Sequence, residues 1–572
     1  IFVASQGSTV DIANELKEKA SKIFPPFPLD ETFKQKLSSC DVDEEQKKLI
    51  SDLLPRGIAY HNASLPTSLR EIIEEEFQQP SSCIKLIVAT ETLTIGVNMP
   101  FDAMVLMDTR VPRGIGEHKP LTNQEYRNYI GRAGRLGQSN RPGITYLFVQ
   151  DLKERNGYWY GYYQNDREVE SALINASEAK HAPYYLGLLI NQASTVFDMD
   201  ELKNLHQNSL SEISSPKPMF SIKKMTDQMK SVNLMSIQKF MGNEKCFLLP
   251  FGERMAPYAL SLDTCSRIYW YFFSGNEEGL PVGISQEDID GDKYLLEILY
   301  HICRHNEIEN SSTLIYPTKI ELAYGAKRAV LKKLRELLEI ENKDGTTAYS
   351  LWDNSSSDLY QILHSTNFPE EDIKLQATMR AILLFYWTQG KTVQEIRKLT
   401  GFKPYIKIVN GDLERMAEVA SFHLDAIYRC LSRATNELGE FILKDERALK
   451  AFYTLQVRLK YGMPRALTQL ANKHIHGLDR SRILAFGAEA DRWGIPPIQL
   501  LYVISNHLIT PYMTVTQHNQ LLERLESRYH TSKFDTLMEI MQNDLGSEFL
   551  DAQTDALRAI FEPDVASAEK FR

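Results

Sequence analysis

CIKLIVATETLTIGVNMP, residues 83–100, and YRNYIGRAGRLG, residues 126–137, decide the reading of this chain. In the first, the apolar run Ile84–Ala89 predicts a buried strand that ends in a threonine-rich turn and Gly96-Val97-Asn98. In the second, Gly131, Gly134 and Gly137 leave the backbone able to approach a polyanion. Arg132 and Arg135, three residues apart on what reads as a helix start, face the same way. Each is a planar fork matched to phosphate oxygens. Such a pair neutralises charge on a transferring γ-phosphoryl group at a junction between lobes. The competing reading, two surface arginines in a glycine-rich loop, is weakened by the two stretches occurring together.

Working outward, IFVASQGSTVDIANELKEKA predicts a buried strand, a polar turn and an amphipathic helix with Ser8 or Thr9 as its N-cap. Residues 24–55, with Pro25, Pro26 and Pro28, read as an irregular helical insert. RGIAYHNASLPTSLREIIEEEF is a second strand-to-helix passage, and Ala103–Asp108 and Gly143–Val149 are further strands. Near-continuous apolar strands alternating with helices predict an α/β lobe, a parallel sheet with helices on both faces. Ligands of such sheets sit at the carboxyl ends of the strands, where both opening stretches fall.

The 572 residues imply several domains. With 43% hydrophobic and 24% charged residues, the chain has an ordinary globular composition. A net charge of −10 excludes a generally basic coat, so nucleic acid would need a local positive patch. One exists in residues 101–150, where seven Lys/Arg (110, 113, 119, 127, 132, 135, 141) face four acids. Six scattered cysteines without a CxxC pair read as reduced, zinc-free and intracellular, cytoplasmic or nuclear. His301 and His305 stand one helical turn apart, but no further ligands cluster in sequence, so a surface or core pair is favoured and no metal site is assigned. No apolar run reaches membrane-spanning length and no signal peptide is visible.

Residues 1–150 resemble the second RecA-like lobe of superfamily-two DExH helicases of the Ski-like branch, which includes archaeal and metazoan DNA-repair helicases. IFVASQGST matches motif IV, ATETLTIGVNMP motif V and YRNYIGRAGRLG motif VI, while YHNASLPTSLREIIEEEF matches a further family stretch. Ser64 stands where that stretch usually has Gly, and Asn128 where motif VI usually has Gln. The resemblance implies that Arg132 and Arg135 reach ATP on the other lobe, Arg135 as the arginine finger. It places Gly96, Asn98, Gly131 and Gly134 at the nucleotide cleft, and Thr90 and Thr92 beside the nucleic-acid backbone. The excursion Asp108–Thr122, with Arg113, would be a duplex-splitting β-hairpin; the alternative is an ordinary surface loop.

Beyond residues 1–177 (lobe and linker), residues 178–262 predict helices and a small β-wing, and the resemblance makes them a winged helix. Residues 263–460 read as helical almost throughout. They resemble a ratchet bundle, in which Arg415 and Phe422, seven apart and on one face, would grip single-stranded nucleic acid. A plain core role is the alternative for Phe422. Residues 461–572 would begin with a helix-loop-helix whose Arg480 and Arg482 touch phosphate, and 496–572 read as further helices without a motif.

A motor also needs a P-loop and an acidic box after a strand. Gly390-Lys391-Thr392 has Phe385 at the first glycine position, and Asp43–Gln46 follows no strand. The expectation is that the first lobe precedes Ile1, binds most of the ATP and Mg²⁺, and is needed for hydrolysis. The implied function is the carboxy-terminal part of an ATP-dependent 3′→5′ DNA helicase in repair or antiviral defence. Its partners would be single-stranded or partly duplex DNA, the missing lobe, and a nuclease or other subunit, with no membrane. The alternatives are an RNA helicase of the same branch and a non-catalytic nucleic-acid-binding scaffold that kept the lobe.

Overall fold

A computed structural model of the chain describes residues 1–22, 44–79, 81–93, 101–114, 117–134, 142–149, 151–164, 176–190, 196–209, 221–273, 294–311, 320–341, 347–349, 358–364, 372–402, 408–432 and 446–472, with scattered positions between and beyond them. In the first 150 residues the elements run α1 (Gln6–Ala20), α2 (Glu44–Leu53), β1 (Ile58–His61), α3 (Thr67–Gln78), β2 (Leu86–Ala89), β3 (Ala103–Leu106), β4 (Arg110–Gly114), β5 (Glu117–Pro120), α4 (Asn123–Ile130) and β6 (Ile144–Leu147).

The predicted parallel sheet forms. β1 pairs with β2, Ile58 opposite Leu86, and β3 with β6, Ala103 opposite Ile144. The first residues of the chain lie between these pairs, because Phe2 bridges in parallel to both Ala89 and Leu106. Phe2 N–H donates to Val105 O at 2.7 Å and Val3 N–H to Ala89 O at 2.9 Å. The sheet order is therefore β1, β2, the initial segment, β3, β6. Two cores flank it: one gathers α1, α2 and α3 on β1 and β2, and a smaller one joins Phe2 and Leu106 to Tyr126, Tyr129 and Tyr162. One cap differs from expectation. Ser5, not Ser8 or Thr9, caps α1, and its hydroxyl accepts from the Ser8 amide. Ser5 has the extended backbone that an N-cap requires, while Ser8 and Thr9 already lie in the first turns.

After α5 (Leu152–Tyr158) and a π-helical turn, Trp159–Tyr163, come α6 (Glu178–Ile190), β7 (Val196–Asp198), α7 (Met199–Gln207), α8 (Ile222–Ser231), β8 (Met235–Phe240) and β9 (Asn243–Leu248). These strands form an antiparallel sheet in the order β7-β9-β8. Met241 (φ 50°) and Gly242 (φ 90°) make the two-residue turn that the right-handed strand twist favours.

The remainder is mostly helical: α9 (Pro250–Met255), α10 (Leu262–Phe272), α11 (Leu295–Cys303), α12 (Asn306–Ser311), α13 (Ile320–Leu338), α14 (Asp358–His364), α15 (Asp372–Thr388), α16 (Val393–Thr400), α17 (Asn410–Leu431) and α18 (Glu446–Tyr461). A short hairpin, Glu339–Glu341 with Thr347–Tyr349, stands among these helices, which were expected almost throughout. One apolar core runs from α6 through the small sheet into α17 and α18. Both histidines of the sequence pair are core residues, and His305 Nδ1 lies 2.7 Å from His423 Nδ1. The five described cysteines are free and buried. Among the described residues no helix is long and apolar enough to cross a membrane. The expectation of helices over 496–572 lies outside the described residues, apart from position 497.

Candidate nucleotide and nucleic-acid interface

The carboxyl ends of the central strands are tied together by short polar contacts. Ala4 N–H donates to Asp108 Oδ2 at 3.0 Å, joining the exits of the first strand and β3. Thr90 N–H donates to His61 O at 3.1 Å, joining the exits of β2 and β1. Thr90 is buried, and Thr92 lies in the 3-10 turn Glu91–Leu93.

Helix α4 starts near this edge and runs back along the sheet, so the arginine stretch lies beside the starts of β3 and β6, where Ala133 bridges Phe101, and not at the carboxyl ends where it was expected. Thr122 and Glu125 form a reciprocal capping box at its start, so the helix begins sharply after the hairpin β4/β5. Tyr126 and Tyr129 bury one face, with the Tyr129 ring 4.5 Å from Phe2, while Arg127 and Asn128 are exposed on the other. The helix stops at Ile130, which corrects the expected helix start at Arg132. Gly131 is its C-cap, and half-buried Arg132 sits in the turn beyond, with its amide on Tyr129 O at 3.0 Å. A helix C-terminus offers no positive dipole, so attraction for phosphate at this turn rests on guanidinium charge.

The glycines also serve differently from the reading that freed them for a ligand. Gly134 has φ 68° and donates to Phe101 O at 2.8 Å; a Cβ there would stand 2.1 Å from Gly143 N. Gly134 thus lets the arginine turn close on the start of β6. Gly96, Asn98, Arg135 and Arg482 lie outside the described residues.

The excursion between the two stretches is a β-hairpin, with Arg110 opposite Pro120 and a register shift between Pro112 and Gly114. Arg113 lies on β4, and Arg110 and Lys119 are exposed. Tyrosines after β6 brace both feet of the hairpin. Thr109 Oγ1 donates to the Tyr158 hydroxyl at 2.5 Å, and the Tyr162 hydroxyl donates to Leu121 O at 2.8 Å. The YWYGYY run at 158–163 was the available sequence signal for this brace.

Comparisons with known proteins find helicases. Residues 32–137 match the family described as "Helicase conserved C-terminal domain". An ATP-dependent DNA helicase of Thermoplasma acidophilum is 35% identical over 150 residues, 26% of this chain and 20% of that protein. Its counterpart in Thermoplasma volcanium is 35% identical over 203 residues, 35% of this chain and 28% of that protein. A DExH-box ATP-dependent RNA helicase of Arabidopsis thaliana is 30% identical over 198 residues, 33% of this chain and 18% of that protein. The chain thus carries a helicase domain of the superfamily-two DExH type, and the relatives support the Ski-like branch. Its first 150 residues are a RecA-like helicase lobe, and the matched stretches span less than a third of each of these relatives.

Far outside the matched residues 32–137, α17 carries both residues predicted to grip a strand. Phe422 is 46% exposed, and its ring lies 5.1 Å from Tyr258, whose hydroxyl donates to Asp425 at 2.5 Å. Arg415 is half-buried. Tyr258 was missed because its segment, LPFGERMAPYALS, reads as wing rather than as part of an aromatic pair.

Arg480 departs from its predicted role. Its guanidinium donates to Gly462 O at 3.0 Å and Lys391 O at 2.9 Å, and stacks 4.1 Å over the Trp387 ring. These contacts fasten the segment after α18 to α15. They spend the planar fork on carbonyls and an indole of the fold.

Proposed function

We propose that this chain supplies the second motor lobe and the strand-guiding region of an ATP-dependent helicase that moves 3′→5′ on DNA. The observation that carries the reading is the turn beyond α4, which holds Arg132 beside the starts of β3 and β6 of the RecA-like sheet, with Arg135 three residues on. ATP is the substrate: water attacks the γ-phosphorus, the bond to the β-phosphate oxygen breaks, and ADP and phosphate leave. The two guanidiniums stabilise the negative charge on the transferring group, Arg135 as the finger.

Magnesium would arrive with the nucleotide. Among the described residues no group of three or more His, Cys, Asp or Glu side chains is assembled that could hold a metal ion, so no step is assigned to it here.

The order helix, strand, two helices, strand, strand over 178–248 supports a winged helix beside the lobe. The helices that follow support a ratchet-like bundle in which Phe422, set against Tyr258, stacks on bases and Arg415 meets the backbone. The braced hairpin β4/β5 would part the duplex. DNA is favoured because the two Thermoplasma relatives are DNA helicases. RNA is the second reading, on the strength of the Arabidopsis relative.

The test is unwinding of tailed duplexes by the full-length protein with ATP. The expected result is opening of 3′-tailed DNA with hydrolysis stimulated by the strand. Preference for a 5′ tail would overturn the direction, preference for RNA would overturn the substrate, and absence of hydrolysis would overturn the motor.

A further inference from the structure

Helix α3 opens without a cap of its own. Its N-cap position is Pro66, no side chain there accepts from the first turn, and no acid stands in that turn. The first amides of a helix need acceptors. One comes from a residue 347 positions away: Glu414 Oε2, in the first turns of α17, accepts the Thr67 amide at 2.9 Å and the Thr67 hydroxyl at 3.1 Å. Arg70 Nη2 donates to the same hydroxyl at 3.0 Å. A carboxylate at a helix N-terminus has the favourable sign for the dipole. Burial pushes the Glu414 carboxyl up, against the Thr67 bonds and the nearby Arg70 and Arg480 charges.

A second contact lies beside the first. Gly411 N–H donates to Ser64 O at 3.3 Å, and a Cβ at Gly411 would stand 1.9 Å from Ala63 O and 2.7 Å from Leu65 O. Only a glycine lets the start of α17 press on the loop between β1 and α3.

That loop is bonded in turn to the lobe's interior. Asn62 Nδ2 donates to Thr9 Oγ1 at 2.6 Å and to Gln6 O at 3.3 Å, both at the start of α1. Asn62 Oδ1 accepts the Ser64 amide at 2.9 Å and the Ser64 hydroxyl at 2.5 Å. A hydrogen-bonded path therefore runs from α1, which leaves the central strand, through one loop to the helix that carries Arg415 and Phe422. Among the described residues the apolar cores on the two sides form separate clusters.

We propose that Glu414 is a coupling residue: by capping α3 from α17, it makes the strand-gripping helix follow the lobe when the lobe moves on nucleotide. This rests on the motor reading given above. Glu414 is a positioning residue, since its described bonds go to Thr67 and it acts through the helix it anchors. Thr67 and Gly411 are its necessary companions.

The test uses the full-length protein as wild type, Glu414→Ala and Glu414→Gln. The readouts are strand-stimulated ATP hydrolysis, base pairs opened per ATP, and amide hydrogen exchange at residues 67–69. Gln keeps an oxygen that can accept from Thr67, whereas Ala does not. The expected result for Glu414→Ala is near-normal hydrolysis with about tenfold fewer base pairs opened per ATP, the scale of one lost charge-assisted hydrogen bond. Exchange at 67–69 should be faster in that variant, and Glu414→Gln should recover both properties. An active wild type with unchanged base pairs per ATP in Glu414→Ala overturns the coupling role alone. A Gln variant as defective as Ala overturns it too. A wild type that does not hydrolyse ATP overturns the motor reading and the coupling role with it.

Discussion

From Ala182 to Leu459 a single apolar core binds the small antiparallel sheet and the helices around α17 into one body. The lobe divides its buried side chains between two smaller clusters, and at the loop after β1 it meets α17 through an amide, carbonyls and one carboxylate. Apolar packing resists sliding because volume must be conserved across the contact. A polar junction carries few such constraints, so it suits two bodies that change their relation during a cycle while staying attached. On the coupling proposal, the helical region is the platform and the lobe is the moving part.

The sharpest cut at the platform is Leu424→Ala, since Leu424 is fully buried in the shared core. It should cost about 3 kcal/mol. Hydrogen exchange should quicken in α6–α8 as well as α17, and β1 and β2 should keep their protection. Equal loss of protection in the lobe would break the comparison.

Arg480→Ala comes next, removing two carbonyl bonds and the stack on Trp387, with an expected loss of about 2 kcal/mol in denaturant unfolding. The salt dependence of strand binding should not change, because this guanidinium is committed to the fold; a shallower salt slope would return it to the phosphate-binding set. Phe422→Ala should barely affect stability, but should weaken single-strand binding by roughly 1 kcal/mol, as loss of one stacking partner does. Unaltered affinity would leave Phe422 as a rim residue of the Tyr258 contact.

A separate test concerns acid. Burial pulls both His305 and His423 down, His423 to about 4 from the usual 6.5, with Glu307 opposing in the latter case. A depressed folded-state value means that the unfolded chain binds more protons in this interval. Stability should therefore be complete above about pH 6.5 and decline as pH falls towards about 4. Unfolding midpoints measured across that interval should fall less steeply in His423→Gln, and parallel curves would remove the pair from the account.

How far these regions could be read from sequence follows the same division. Strands β1 and β2 were legible because parallel strands buried on both faces are continuous apolar runs, as Leu86–Ala89 shows. The arginine stretch was legible as a motif but its turn was not: it read as a helix start, whereas Gly131 caps the end of α4 and Gly134 takes a positive φ that serves the fold rather than a ligand. In the helical region, periodicity revealed the helices but not the use of their polar residues. An arginine after a glycine reads alike whether it meets phosphate or, as Arg480 does, two carbonyls and an indole. Glu414 was invisible as a long-range contact, yet α3 hinted at it by opening on Pro66-Thr67 with no acid in its first turn.

The central claim is that the turn carrying Arg132 and Arg135 closes on a triphosphate. It is tested most directly by strand-stimulated ATP hydrolysis in full-length protein bearing Arg135→Ala, with strand affinity measured alongside. The account predicts a fall in turnover of about a thousandfold with binding retained. Wild-type turnover in that variant would contradict it.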